Sequence, residues 1–543
     1  MGSDSDDAKE KDMDSSREGA WAAAGFAVVL VIVGLPVWWY TTTVYRAHLP
    51  YSTIEDLSHQ LRYHGISLSV IGAPSYTFSE DLEKHLKSSR SIKFYVTSRQ
   101  SEKNERERLK TALSVEELDE KMSAATKIVT GTLALFILPD SNSNILDAAD
   151  AKIVVGRHRN VYATADVDMP TLTSLLKNMV INSLANKKAE GNKVLHDLKG
   201  SLRKEAMRQV PTEPGYDVTL TLMIPEPHFI SVAWNARKAV EDYLKPFVSQ
   251  LESITKISIR SQVLYMTALS VSPMWSSSYK HFALPQEQLP LTINAIEAKL
   301  GSYVRTRPSL HFVVYIPKQD QSPLHIHKSD GTPVEENSFM VPRWGGVMIH
   351  NTPVPEANAS MPYDVELDTH WIMATVLTHL QKLLPVPHIK PSEGVLVLSA
   401  SKSCELTGWE LDGLARARVS SYLANIRITL QSLCELVGEI SNMVISDEVG
   451  GWVWGAVEEW GECLTATREG RLKEATLYCS TSFIQADAAF FHPSMLALLY
   501  FPDNQKYAIY VPLFLPVSIP VILSLKVVFG LYRKRTPIKI KED

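Results

Sequence analysis

Between Ala508 and Tyr532 the chain carries a single formal charge, Lys526, and as a helix this run is long enough to cross a hydrocarbon core about 30 Å thick. Arg533, Lys534, Arg535, Lys539 and Lys541 crowd its C-terminal side, whereas only Lys506 lies just before it. The positive-inside bias therefore puts the basic tail 533–543 in the cytosol and everything immediately upstream across the membrane. Lys526 is close enough to the basic flank to snorkel to it. Pro512, Pro516 and Pro520 recur every four residues and so share one stripe of the helix, where the last two each remove an internal hydrogen bond. The stripe reads either as a tolerated kink or as a helix-packing face shaped for another membrane subunit. The freed carbonyls would find donors in a neighbouring helix or in Ser518 and Ser524.

A second uncharged run spans Ala20 to Tyr40 and closes on Trp38, Trp39 and Tyr40, the residues that favour a membrane interface. It competes with a cleaved signal peptide. Its length and bulky end, where a cleavage site wants small residues, favour an uncleaved anchor. Residues 1–19 form a polar, largely acidic tail with too little apolar surface to fold. Lys9, Lys11 and Arg17 precede the run and Arg46 follows it, which places the N-terminus in the cytosol as well. The expectation is a two-pass membrane protein with both termini cytosolic and one large body, from Tyr45 to Lys506, on the other side.

That body is ordinary globular material: the chain is 45% hydrophobic and 21% charged. A net charge of −5 gives no support to a nucleic-acid partner. Short apolar or alternating runs at Ile66–Ile71, Ile92–Thr97, Leu133–Leu138 and Ile153–Val155 read as strands. The charged stretch Ser101–Lys127 between them, with Leu109, Leu113 and Leu118 as a thin apolar stripe, reads as a solvated helix. After Pro211–Gly215, strands are expected at Val218–Ile224, Ile257–Tyr265, Leu310–Ile316 and Gly346–His350, with a helix over Val232–Leu251. From Thr407, whose spacing to Glu410 suits a capping box, apolar residues follow helical spacing, and two more helical stretches come after. The fold class is thus an α/β body of mixed sheets with flanking helices, 45–210 and 216–400, plus a C-terminal helical layer, 407–490, between transmembrane helices at 20–40 and 508–532.

Asn358-Ala359-Ser360 is the single Asn-x-Ser/Thr sequon, and this topology puts Asn358 where it would be glycosylated. Cys404, Cys434, Cys463 and Cys479 allow three pairings, or none, and spacing does not choose. Cys434 and Cys463 sit in helical patterns, where buried cysteine is the commoner explanation than a nucleophile. No Gly-x-Ser-x-Gly elbow is present. His325-Ile326-His327 would place two imidazoles on one strand face, half of a zinc site without a third ligand. Gly345-Gly346 lacks the spacing and lysine of a phosphate loop and reads as a tight turn into a strand. No catalytic, cofactor or metal residue is assigned.

Four blocks carry a resemblance: GLPVWWYTTTVYRAHLPYS (Gly34–Ser52), PRWGGVMIHN (Pro342–Asn351), WELDGLARAR (Trp409–Arg418) and HPSMLALLYFPDNQKYAIYVPLFLPVSIP (His492–Pro520). They closely resemble the phosphatidylinositol-glycan class S family, subunits of the glycosylphosphatidylinositol (GPI) transamidase. The resemblance implies a non-catalytic subunit in the endoplasmic-reticulum membrane, within a complex that joins precursor proteins to a GPI lipid. It implies as partners the class K catalytic subunit, class T, class U and the GPI attachment subunit, with no cofactor. The final lysines, Lys539 and Lys541, resemble a di-lysine retrieval signal or simply enforce orientation. A free-standing luminal enzyme and a membrane tether or cargo receptor are the competing readings.

Overall fold

The computed structural model describes residues 18–495, except for 20, 23, 43–44, 59, 61–62, 73–75, 87–91, 127, 140–143, 185–209, 301–306, 354–360, 390–392, 401–404 and 441–442, and then 508, 511–512, 514–516, 518–523, 525–526 and 529. The chain divides into two compact units: 56–428 with 456–484, and 1–55 with 429–455 and 485–543.

In the first of these, strands β1 (His64–Ile71), β2 (Ile92–Arg99), β3 (Thr132–Leu138), β4 (Ile153–Val155) and β5 (Asn160–Thr164) alternate with helices α1 (Tyr76–Leu86), α2 (Lys103–Thr111), α3 (Val115–Ala125) and α4 (Met169–Leu184). β1 pairs in parallel with β2 and β3, β3 pairs in parallel with β5, and β4 folds back antiparallel on β5. β3 is buried throughout from Leu133, as a central parallel strand covered on both faces must be. Leu133, Leu135 and Ile137 pack towards Leu82 of α1 and Leu172 and Leu176 of α4. Ala134, Phe136 and Leu138 point the other way, to Leu109 of α2 and Leu118 and Met122 of α3.

The charged stretch expected as one solvated helix is two helices, α2 and α3. Ser114 breaks it, its Oγ accepting the Glu117 N–H at 3.2 Å while the Glu117 carboxylate accepts the Leu113 N–H at 2.8 Å. Leu113 therefore sits in the joint and is 90% exposed instead of on an apolar stripe. Glu105 is buried in its place, gripped by both terminal nitrogens of Arg99 at 2.8 and 2.6 Å.

The second sheet is built from β6 (Gly215–Ile224), β8 (Lys256–Tyr265), β11 (Ser309–Tyr315), β13 (Ser338–Val341) and β14 (Gly345–Ile349), in the order β13-β14-β11-β6-β8. Only β13 is antiparallel to its neighbour. Beside it, β9 (Met274–Ser276), β10 (His281–Pro285) and β12 (Leu324–His327) make a three-stranded sheet, and β7 (Ile230–Ala233) pairs with β15 (Tyr363–Glu366). α5 (Leu289–Lys299) and α6 (Thr369–Leu383) cover this region. The chain then returns: β16 (Val395–Val397) pairs with β4 and becomes the edge of the first sheet, whose order is β16-β4-β5-β3-β1-β2.

α7 (Gly408–Glu439), α8 (Asp447–Glu469) and α9 (Leu472–Phe490) follow. A Cys463–Cys479 disulfide and the Ser482 hydroxyl donating to the Ala456 carbonyl hold α8 and α9 antiparallel. Tyr422 packs its ring against Phe483, and Trp460 Nε1 donates to the Leu423 carbonyl, so α7 contacts both. Every residue from Asp412 to Ser420 is buried, which makes this part of α7 a central pillar of the helical layer.

Two helices change pitch where a proline interrupts them. The expected helix over Val232–Leu251 runs as Ala236–Ala239, a π-turn at Val240–Leu244 and Lys245–Leu251, with Pro246 just past the π-turn. The run expected as the first membrane span is helical at 24–29, turns π at Leu30–Gly34 and continues α-helical at Leu35–Thr42, with Pro36 in the same position relative to the π-turn. Proline has no N–H for the carbonyl four residues earlier, and an i→i+5 turn passes that carbonyl on to the next donor. Among the described residues no helix is long and apolar enough to cross a membrane; within the two runs expected to span, the described residues are helical. Val31, Ile32 and Val33 in the first, and Ile519, Ile522 and Leu523 in the second, nevertheless stand exposed.

Candidate functional site

Three of the four blocks singled out in the sequence have distinct physical tasks within the described residues. WELDGLARAR opens α7. Glu410 accepts both the backbone N–H and the hydroxyl of Thr407 at 2.8 Å, closing the helix start expected from their spacing. Trp409 is buried in the core of the first sheet. Asp412, also buried, takes two bonds from Arg159, at 2.7 and 2.9 Å, and a third from the Gly131 N–H at 3.0 Å. Arg416 donates to the Gly131 carbonyl from a buried position that lowers its pKa, with Asp412 opposing the shift. Arg418 donates to the Glu213 carbonyl and the Tyr216 hydroxyl and lies over the Tyr216 ring. The charges of this motif are thus spent inside the protein, fastening α7 to both α/β sheets.

PRWGGVMIHN forms the β13–β14 hairpin and β14 itself, the tight turn into a strand read from the sequence. Gly345 has φ +143° and lies against the backbone of His311, and Gly346 lies against the imidazole of His379. Asn351, at the end of the block, pairs with the Leu324 backbone through both atoms of its amide, at 2.8 and 2.9 Å. In the other unit, residues of GLPVWWYTTTVYRAHLPYS strap the end of α7: Arg46 donates to the carbonyls of Ile440 at 2.5 Å and Met443 at 3.1 Å. Trp454 Nε1 donates to the His48 carbonyl at 3.0 Å.

His325 and His327 do share a strand, and the structure adds His281 from β10, a residue the sequence offered no reason to join to them. His281 Nε2 and His327 Nε2 are 2.7 Å apart, a hydrogen bond in which one nitrogen carries the proton and the other accepts it. Among the described residues no group of three or more ligand-type side chains could hold a metal ion. Cys434 is the free cysteine among them, and burial, with Glu435 adding, pushes its thiol up to about 11, away from a reactive thiolate. Pro512, Pro516 and Pro520 are all exposed on helical residues. The Ser518 hydroxyl donates to the Phe514 carbonyl at 2.7 Å, and so does not serve the carbonyls freed by Pro516 and Pro520. Asn358, Cys404, Ser524, Lys539 and Lys541 lie outside the described residues.

Burial holds His379 down to about 4, with Lys382 adding to the shift, and it also lowers the pKa of His281, His325 and His350. An unfolded histidine titrates near 6.5, so the fold binds fewer protons than the unfolded chain once the pH drops below that value. Stability is expected to be complete above pH 6.5 and to fall towards pH 4, with His379 contributing about 3 kcal/mol of the loss. Urea midpoints of the full chain measured across this window should show the slope, and His379→Asn should flatten it. An unchanged slope in that variant would place the proton uptake elsewhere.

A cavity of about 230 Å³ opens beside the start of α7, lined by Gln381, His388, Ser399, Trp409 and Glu410 among others.

The family model for "Phosphatidylinositol-glycan biosynthesis class S protein" matches residues 25–535. The mouse "GPI-anchor transamidase component PIGS" is 34% identical, covering 96% of this chain and 97% of its own length. The human protein of the same name is 34% identical, with 95% and 96% covered. The fission-yeast "GPI transamidase component PIG-S homolog" is 25% identical, with 93% and 83% covered. With a family match that runs from within the first apolar run to just past the second, the chain belongs to the phosphatidylinositol-glycan biosynthesis class S family.

Proposed function

We propose that this chain is a non-catalytic membrane subunit of GPI transamidase, supporting assembly and substrate access in the endoplasmic reticulum while the nucleophile resides on another subunit. The observation that carries this reading is 34% identity over 96% of the chain to a relative named as a transamidase component. The raised Cys434 thiol and the internal use of the motif charges support the absence of chemistry in this chain. In the proposed topology the runs 20–40 and 508–532 span the membrane, Asn358 is a luminal glycosylation site, and Lys539 and Lys541 form a cytosolic retrieval signal. The class K, T and U subunits and the GPI attachment subunit are the proposed partners.

Copurification of the tagged full chain from mild detergent is expected to recover these subunits, and a lone monomer would overturn the reading. The exposed Pro512, Pro516 and Pro520 stripe is proposed to pack against a membrane partner, since membrane helices associate through close fit. Pro516→Leu with Pro520→Leu should insert normally but recover less of the membrane partners. Full recovery together with full GPI-attachment activity would leave the stripe a simple kink.

A further inference from the structure

The second α/β sheet ends on β8, whose ten residues pair with β6 in one unbroken register, without a proline or a bulge. Among the described residues no strand lies on its other side. Lys256 donates its N–H to the Pro214 carbonyl at 3.0 Å, and Met266 donates to the Ile224 carbonyl at 2.9 Å. In a parallel ladder every second residue serves the same neighbour, so the even-numbered residues of β8 bond to β6. Ile257, Ile259, Ser261 and Val263 therefore turn both N–H and C=O outward, and the row ends where the Tyr265 carbonyl accepts the Thr267 hydroxyl at 3.0 Å. Natural sheets blunt such an edge with short strands, prolines, bulges or charges. Here the charges, Lys256 and Arg260, lie in the first half alone, and beyond them Val263 and Tyr265 are 43% and 60% exposed.

A cavity of about 260 Å³ adjoins the start of this edge, between β8 and the helical segment Lys245–Leu251, with Val248 and Ile257 in its lining. Side chains alternate along a strand, so Ile259 and Val263 share the face of Ile257. Every second side chain of an added strand would drop onto that apolar row. An open edge beside a helix is the geometry that takes up extended peptides by strand addition, with backbone bonds giving affinity and alternate side chains giving selectivity. The charge around the cavity end of the edge sets the sign of the partner. Lys245, Lys256, Arg260 and Arg307, which reaches Gly215 opposite Lys256, outnumber Glu252 and Asp217. A second copy of this chain, offering its own β8, would bring a strand of the same positive sign to the edge. We propose that the free edge of β8 binds, as an added strand, an extended segment of a partner protein that is apolar at alternate positions and acidic where it meets Lys256.

The test uses the full chain in detergent and two fluorescein-labelled peptides, the acidic DEVTVTVED and its basic counterpart KKVTVTVKK. Fluorescence anisotropy should show the acidic peptide binding about ten-fold more tightly than the basic one. Hydrogen exchange at Ile257, Ile259, Ser261 and Val263 should slow when the acidic peptide is added. Ser261→Pro removes one outward N–H and leaves the ladder to β6 intact, since proline is tolerated on the solvent side of an edge strand. It should weaken binding about ten-fold. Lys256→Glu with Arg260→Glu, both at exposed positions, should reverse the preference between the two peptides, which keeps the test decisive if the proline variant misfolds. No binding of the acidic peptide at millimolar concentration, equal binding of the two peptides, or binding undiminished in both variants overturns the proposal. Concentration-dependent dimerisation of the full chain that Ser261→Pro abolishes would assign the edge to a second copy, and overturns it as well.

Discussion

Replacement of Asp412 by alanine should destabilise the protein by about 3–5 kcal/mol, the usual cost of removing one partner from a buried ionic group. The carboxylate is the common acceptor for Arg159, through two nitrogens, and for the Gly131 N–H, and its charge opposes the burial of Arg416. Without it, two guanidinium groups and one amide lose their compensation in a site with little access to water. Asp412→Asn should be milder, because it keeps the shape and part of the bonding. The double variant Asp412→Leu with Arg159→Leu should recover part of the loss, since it removes a charge together with its partner. Urea unfolding of the full chain measures all three. Additive losses in the double variant would show that the two residues are not coupled and that the account of the clasp is wrong.

A similarly large loss, about 4 kcal/mol or more, is expected for Gly345→Ala. The new Cβ would stand 1.9 Å from the His311 carbonyl oxygen and 2.6 Å from its carbon, both backbone atoms of the paired strand β11. Neither can withdraw without breaking the ladder, and φ +143° is itself costly for any residue with a Cβ. At Gly346 the nearest atom is His379 Nδ1, at 2.3 Å, a side-chain atom that can rotate away. Gly346→Ala should therefore cost about 2 kcal/mol, as a moderate overpacking. Gly461, inside α8 with nothing within 4 Å of its would-be Cβ, is the control: alanine there should stabilise by about 0.5–1 kcal/mol. Equal losses at Gly345 and Gly346 would contradict the distinction between backbone and side-chain obstruction.

The elements most legible in the sequence were strands with a local run of apolar or alternating residues. Ile153–Val155 was read with its observed bounds, and β3 and β8 were each read to within one residue, because a strand covered on both faces or flanked by turn residues leaves a local apolar signature. The helix start at Thr407 was legible for the same reason, since a capping box is complete within four residues. The strands β9, β10 and β16 were not read. They are three to five residues long, too short to show a period, and exist because a neighbour distant in sequence supplies their hydrogen bonds.

The same division holds for function. By itself the sequence determined the family, through blocks of consecutive residues, and the α/β class, through local periodicity. What those blocks do was decided by tertiary structure. That Asp412 serves Arg159, that His281 meets His327, and that Val395–Val397 completes a sheet begun at His64 are all relations between distant positions. Periodicity and propensity report how a residue suits its own helix or strand, whereas ion pairing, close approach and cavities depend on which surfaces the fold brings within a few ångströms.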